Sequence, residues 1–102
     1  MIIYNVTINI DDSVRDEWLK WMKEVHIPDV MRTGLFLENR MLKILTDETE
    51  TGGTNYSVQY TCRNMDDFNT YEKTFAPALR KAHAEKYSDR FVSFRTLLEL
   101  VD

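Results

Sequence analysis

The sequence predicts an α+β fold in which a four-stranded antiparallel sheet carries two helices on one face. Two observations support this prediction. Segments near the start, the middle and the end of the chain alternate apolar and polar residues with a period of two, which is typical of strands with one face on a core. Two other segments repeat apolar residues at helical spacing, and the elements follow in the order β-α-β-β-α-β.

The first strand is predicted from Ile2 to Ile10, because apolar residues occupy every even position. The side chains of residues 11–13 then suit the start of a helix. Pro28 should kink or restart this helix, since proline lacks a backbone donor, and Gly34 suits its end. The apolar positions of the helix are Val14, Trp18, Trp21, Met22 and Val25.

The middle of the chain predicts an antiparallel hairpin. Its two strands are predicted over residues 38–46 and 55–62. An acidic loop, residues 47–50, and the Gly52-Gly53 turn connect them. Cys62 falls on the core side of the second of these strands, so we expect a buried thiol.

The second helix is predicted to start near Asn64 and to be bent or interrupted at Pro77. Its apolar positions are Phe68, Tyr71, Phe75, Leu79 and Ala82. The last strand contains Val92, Phe94, Thr96, Leu98 and Leu100. The complete order is the split βαβ, or ferredoxin-like, arrangement, and we expect residues 1–102 to form one such domain.

The composition limits the partners that the chain can bind. Its net charge of −4 and isoelectric point near 5.1 argue against nucleic acid and anionic membranes, which need a basic surface. A single cysteine forms no internal disulfide. Neither a leader nor an apolar run of membrane-spanning length is visible, so we expect a cytoplasmic protein without a membrane partner.

The sheet face away from the helices is predicted to be covered by a second copy of the chain. Its residues on the first and third strands are polar but uncharged, although charged residues form 29% of the sequence. A covered face suits such residues, because buried polar groups need partners and buried charges are costly. A twofold pair of sheets is the simplest cover, and a monomer with a wet sheet face is the alternative. The residues are Asn5, Thr7, Asn9, Ser57, Gln59 and Thr61, joined by Met41, Leu45, Phe91 and Leu97 if strands two and four are in phase.

A small-molecule site is expected between the helices and the sheet, with His26 at the edge of the apolar helix stripe as the candidate catalytic acid or base. The alternative is that His26 ends a broken helix and that the aromatic residues belong to the core. His83 is expected as a solvated histidine at a helix end, and its spacing from His26 predicts no metal site. The candidate ligand-binding residues are Tyr4, Trp18, Arg40, Tyr56 and Tyr60.

Three features of the sequence resemble the dimeric α+β barrel superfamily. They are the βαββαβ order, the segment of residues 21–28 and Gly34-Leu35-Phe36. Within the segment, His26-Ile27-Pro28 matches a His-x-Pro that ends the first helix in several members. The whole chain more closely resembles an uncharacterised family of short bacterial proteins, a domain of unknown function, which brings no activity with it.

The superfamily resemblance implies a homodimer of packed sheets and a ligand cleft in each subunit. Members of the superfamily include cofactor-independent monooxygenases, muconolactone-type isomerases and haem-degrading enzymes. The haem-degrading members use an asparagine on the first strand, a tryptophan, and a histidine on the second helix. Asn5 and His83 match two of these residues, but both tryptophans lie on the first helix, so we expect no bound cofactor.

The sequence therefore leaves three functional hypotheses. The first is a homodimer that binds a small molecule in the cleft. The second is a cofactor-independent isomerase or monooxygenase in which His26 is the acid or base and Tyr4, Tyr60 and Arg40 position the substrate. The third is a structural or protein-interaction module whose cleft is filled by its own side chains. An open, partly polar pocket beside His26 favours the first two hypotheses, and a closed one favours the third.

Overall fold

A four-stranded antiparallel sheet forms one layer of the computed structural model, which describes residues 1–46 and 52–102. The spatial order is β2-β3-β1-β4. With the helices that follow β1 and β3, this order confirms the predicted ferredoxin-like fold. The predicted acidic loop, residues 47–50, lies outside the described residues. The strands are β1 (Ile2–Ile10), β2 (Glu38–Lys43), β3 (Thr54–Cys62) and β4 (Phe91–Glu99).

Strand β1 is central and pairs with β3 and β4 along its whole length. Tyr4 lies opposite Tyr60 on β3 and opposite Leu97 on β4, so these three residues share one face of the sheet. The even residues of β1 face the helices, as predicted, and most of them are buried. The opposite sheet face, called the open face below, carries the odd residues of β1 and β3 and the even residues of β2 and β4.

The first helical stretch is assembled from short pieces. The Asp11 carboxylate accepts a hydrogen bond from the Ser13 backbone N–H at 2.8 Å and caps a 3₁₀ turn, Asp12–Val14. Helix α1 (Arg15–Trp21), a π turn (Met22–His26) and helix α2 (Ile27–Met31) follow.

The π turn lies directly before Pro28, which lacks an N–H to continue the α-helical ladder. The Ile27 N–H bonds to the Met22 carbonyl, five residues back. Gly34, with φ of +79°, ends the stretch, as predicted.

The second helical stretch is interrupted, as its proline predicts. The Asn64 side chain caps helix α3 (Met65–Thr74) by accepting a hydrogen bond from the Asp67 N–H at 2.8 Å. Helix α4 (Ala76–Lys86) begins immediately after Phe75, with Pro77 in its first turn.

The interruption at Phe75 changes which residues of α4 face the core. The predicted apolar stripe continues from Phe75 to Ala82, but both side chains are exposed, so this part of the prediction is wrong. The buried residues are instead Ala76, His83 and Tyr87. A break at a proline rotates the following helix relative to the preceding one, and a single uninterrupted period cannot describe both.

The alternation of the edge strand β4 is shifted by one residue from the alignment that would place Phe91 and Leu97 on the open face. Phe91 and Leu97 would lie on the open face only with the aligned phase, but Phe91 pairs with Ile10 and Leu97 with Tyr4, both on the helix side. Met41 likewise packs on the helix side, opposite Val58, and Leu45 lies beyond the end of β2. The apolar residues of β4 on the open face are Val92, Phe94 and Leu98, all of them exposed.

The core lies between the sheet and the two helical stretches. Trp18 and Cys62 are both fully buried, the latter as expected for its strand position. Trp18 packs against Tyr56 with ring centroids 5.2 Å apart. In the described part of the chain, no helix has the length and apolar character to cross a membrane.

Candidate functional site

A cavity of about 360 Å³ lies between the helix side of the sheet and the helical layer. Its floor is formed by β1, β3 and β4, and its other walls by the π turn, α2, α3 and α4. This volume lies within the range of small-molecule sites, roughly 300–1,000 Å³. The lining residues are Tyr4, Val6, Ile8, Met22, His26, Val30, Val58, Tyr60, Tyr71, Leu79, Arg80, His83, Ala84, Phe91, Ser93 and Arg95.

The lining divides into a buried interior and an exposed rim. The sheet residues Tyr4, Val58 and Tyr60 are buried. The exposed lining residues are Ala84 on α4 and Ser93 and Arg95 on β4. The cavity therefore opens to solvent between α4 and the edge strand β4.

His83 is buried in one wall of the cavity, and the expectation of a solvated histidine is therefore wrong. Its Nε2 accepts a hydrogen bond from Trp18 Nε1–H at 2.9 Å. Burial, reinforced by the nearby His26, lowers the pKa of His83 to about 4. The imidazole is thus neutral at pH 7, with its proton on Nδ1, because Nε2 serves as the acceptor.

His26 lies in the π turn and lines the same cavity. Its ring stacks on Trp21 with centroids 5.0 Å apart, and its centroid lies 5.7 Å from that of His83. Burial lowers the pKa of His26, so this ring is also neutral at pH 7. Its ring forms no hydrogen bond with any residue that the structure describes, so a ring nitrogen is free to accept a proton from a bound molecule.

Two arginines and one glutamate lie together at the cavity. Glu72 accepts hydrogen bonds from Arg80 with one carboxylate oxygen and from Arg95, at 2.8 Å, with the other. These bonds, that from Arg80 foremost, lower the pKa of Glu72. Arg80 also donates to the Tyr4 hydroxyl at 3.3 Å.

Tyrosine hydroxyls supply neutral polar groups to the cavity. Burial raises the pKa of Tyr60 and of Tyr71 well above the usual range. Both side chains therefore remain phenols at any physiological pH. They can donate a hydrogen bond to a ligand without adding charge to the site.

Of the six residues that the sequence nominates, three line this cavity: Tyr4, His26 and Tyr60. Trp18 is fully buried behind its wall. Tyr56 packs on Trp18 and borders a separate surface groove between the π turn and β2.

Arg40 lies on the opposite side of the sheet from the cavity, so the expectation that it faces the helix–sheet gap is wrong. Its Nε donates to the Gln59 side chain at 3.1 Å on the open face. The strand phase explains this placement, because Arg40 pairs with Gln59, an odd residue of β3.

Asn5 and His83 do not line a common cavity. Asn5 lies on the open face, where it donates to the Thr7 hydroxyl at 3.0 Å and accepts a hydrogen bond from Ser57. His83 lies on the helix side. The two residues that match haem-degrading enzymes in sequence, Asn5 and His83, therefore lie on opposite sides of the sheet and form no common site.

Several lining residues are not among those that the sequence nominates, and three of them have ionisable side chains with nitrogen atoms: Arg80, His83 and Arg95. For the two on α4, the signal was present in the spacing, because Ala76, Arg80, His83 and Tyr87 recur every three or four residues along α4. This spacing starts at Ala76, where the helix restarts beside Pro77. For Arg95, the sequence offers no such signal, since apolar residues occupy both phases of β4.

Comparison with protein families gives one match across nearly the whole sequence. Residues 1–101 match the model of the family described as Domain of unknown function (DUF4286). The chain belongs to the DUF4286 family. No curated protein matches this DUF4286 chain.

Solved structures resemble the DUF4286 chain in fold. HapK from Hahella chejuensis superposes with a TM-score of 0.73 at 11% identity, over 99% of this chain and 93% of that one. An EthD family protein from Bacillus halodurans gives 0.66 at 9% identity, over 99% and 100%. SnoaB, a cofactor-independent oxygenase from Streptomyces nogalater, gives 0.65 at 11% identity, over 99% and 93%. At these identities the likeness shows the fold alone and not an activity.

Proposed function

We propose that this DUF4286 protein binds a small organic molecule in the cavity between its helices and its sheet. The observation that carries the proposal is an open cavity of about 360 Å³ with an apolar floor and convergent polar side chains. Tyr4, Tyr60 and Tyr71 offer flat apolar faces, while the histidines and arginines offer hydrogen bonds. An interaction module with a self-filled cleft does not need such a space.

Filling the rim of the cavity tests this proposal. Ala84 and Ala82 are both exposed on α4, but only Ala84 lines the cavity. We expect Ala84→Phe to weaken binding of the neutral fluorescent probe phenylnaphthylamine by about tenfold or more, because the ring occupies the opening. Fluorescence titration measures the loss, and Ala82→Phe is the matched control. Equal affinities in both variants, or no binding to the wild type, would argue against the cavity as a binding site.

His26 supports a second candidate function, general-base catalysis on a bound carbon acid. A neutral imidazole on the cavity wall, held by Trp21 and free of a hydrogen bond to the described residues, can take a proton from a substrate carbon. Removal of this proton leaves a carbanion. A carbanion can be reprotonated at another carbon, which is an isomerisation, or can react with oxygen. The fold that the chain shares with a cofactor-independent oxygenase is compatible with such chemistry.

We expect His26→Ala to slow proton abstraction by about a hundredfold. The reaction is followed by NMR as deuterium uptake from D2O into β-tetralone, a ketone with acidic C–H bonds. Phenylnaphthylamine titration of the same variant checks that the cavity is intact. An exchange rate that His26→Ala leaves unchanged would remove His26 from the catalytic role.

We further propose that the protein is a homodimer in which two open faces pack together. The open face combines a polar network with an apolar edge. In the network Arg40, Gln59, Ser57, Asn5 and Thr7 are linked in series by hydrogen bonds. These bonds satisfy part of the hydrogen-bonding capacity of the face, which lowers the cost of removing the bonded groups from water.

A further inference from the structure

We propose that the ligand of the cavity is an organic anion with a single carboxylate, held at the opening by Arg80 and Arg95. This inference rests on the proposed binding function and specifies its ligand class. Both arginines line the cavity, and both are partly exposed, at 37% and 47% of their side chains. They therefore lie where a charged group can remain near water while the rest of the ligand enters the interior.

The charges at the cavity add up to one positive charge. Arg80 and Arg95 contribute two, and Glu72, which bridges them, removes one. His26 and His83 are neutral at pH 7, because burial disfavours their charged forms. The remaining lining residues carry no charge at this pH. One carboxylate would thus balance the site, and a neutral molecule would leave the charge unbalanced.

The arginines also have hydrogen-bond donors to spare. A guanidinium has five N–H groups, and Glu72 and Tyr4 use only part of this set on Arg80. Among the residues that the structure describes, the Nε of Arg80 is buried without a hydrogen-bond partner. A buried donor without a partner is costly, so a carboxylate oxygen that reaches it gains more than a contact with solvated arginine would give.

The interior indicates the remainder of the ligand. Val6, Val58 and Met22 provide apolar walls, and Tyr4 and Phe91 provide aromatic ones. A flat ring system fits between such side chains and needs few hydrogen bonds of its own. The ligand class is therefore an aromatic or cyclic monocarboxylate.

The test compares naphthoate with naphthamide, which have the same ring but differ in charge. Isothermal titration at pH 7 should give a dissociation constant for naphthoate that is lower by about tenfold to a hundredfold, as charge-assisted hydrogen bonds give. Arg95→Gln should remove most of this preference without weakening naphthamide. The control is Arg90→Gln, since Arg90 pairs with Ser13 and Asp11, away from the cavity.

Glu72→Gln provides a test of opposite sign. Removing the carboxylate that bridges the arginines raises the positive charge of the site, so naphthoate should bind several-fold more tightly. Equal binding of naphthoate and naphthamide, both weakened by Ala84→Phe, would overturn the anion inference and support the cavity as a binding site. Failure of both compounds and of phenylnaphthylamine to bind would overturn the two proposals together.

Discussion

Replacing Phe94 by lysine is expected to convert the proposed dimer into a monomer. Phe94 lies on the open face opposite Thr7 of the central strand, and 63% of its surface is exposed. Its open-face neighbours Val92 and Leu98 are 70% and 42% exposed, so β4 presents an exposed apolar edge in which Thr96 is the one polar residue between Val92 and Leu98. Exposed apolar surface of this kind is typical of interaction sites, and twofold packing of the open faces would bury it.

The expected effect is large because the substitution enters a symmetric interface twice. Each copy would bring one lysine into the contact, and an unpaired buried charge costs several kcal/mol. We therefore expect the dissociation constant of the dimer to rise by about a hundredfold or more. Thr7→Lys combined with Gln59→Lys should act in the same way, since both residues lie on the same face.

Light scattering after size-exclusion chromatography, over a range of concentrations, measures the mass directly. Val25→Lys is the matched control, because Val25 is an exposed apolar residue of the π turn, away from the open face. A Phe94→Lys variant that keeps the dimer mass would show that the copies meet through another surface. A wild type that is monomeric at every concentration would remove the dimer proposal altogether.

For β1 and β3, in which apolar and polar residues alternate, the sequence predicts both the length of the strand and the face that meets the helices. In β1 and β3 the apolar residues except Ile3 fall on one face and the uncharged polar residues except Thr54 on the other, so the pattern indicates which side meets the helices. Strand β4 has apolar residues in both phases, because Phe91 and Leu97 lie on the helix side of the sheet while Phe94 and Leu98 lie on the open face. Its phase is set by pairing with β1, a long-range contact that the local pattern does not contain.

The two prolines had different consequences for prediction of the site. Before Pro28, the π turn adds a residue to the helical ladder but keeps His26 on the cavity wall, at the position that the first helix pattern gave. At Pro77, the chain interrupts the helix and shifts the buried face, so His83 turns inward and Phe75 outward. Sequence periodicity survives a local adjustment of the ladder and fails where the helix restarts.

The cluster of Arg80, Arg95 and Glu72 at the cavity opening could not be predicted from the sequence. Arg95 belongs to β4 and reaches Glu72 on α3, while Arg80 of α4 reaches the same carboxylate. These three residues come from separate elements, and only the packed structure brings them together. By contrast, the sequence predicts the side of the sheet on which Tyr4 and Tyr60 lie, since strand alternation directs both to the helix side.

Protonation of His83 at acidic pH is expected to destabilise the protein strongly. Its pKa is about 4 in the folded chain, against an ordinary value of 6.5. The unfolded chain therefore binds a proton more readily than the folded chain between these two values. The stability that the neutral ring contributes is complete above pH 6.5 and is lost progressively as the pH falls towards 4, by about 3 kcal/mol in total.

His83→Gln isolates this contribution. Glutamine does not titrate, and its amide oxygen can accept the hydrogen bond that Trp18 Nε1–H donates to His83 at 2.9 Å. Urea unfolding at pH 7 and pH 4 should show that the wild type loses about 3 kcal/mol more between the two pH values than His83→Gln does. The carboxylates titrate in both proteins and cancel in the comparison, and His26→Gln measures the share of the second histidine.

The comparison of the two proteins shows whether His83 is neutral or protonated in the folded chain. A smaller pH dependence in His83→Gln shows that His83 is neutral when folded, because Trp18 needs an acceptor and an imidazolium has none to offer. Equal pH dependence in the two proteins would mean that the folded chain keeps His83 protonated as easily as the unfolded chain does. The Trp18–His83 hydrogen bond would then not form in solution, and the cavity would carry an additional positive charge below pH 6.5.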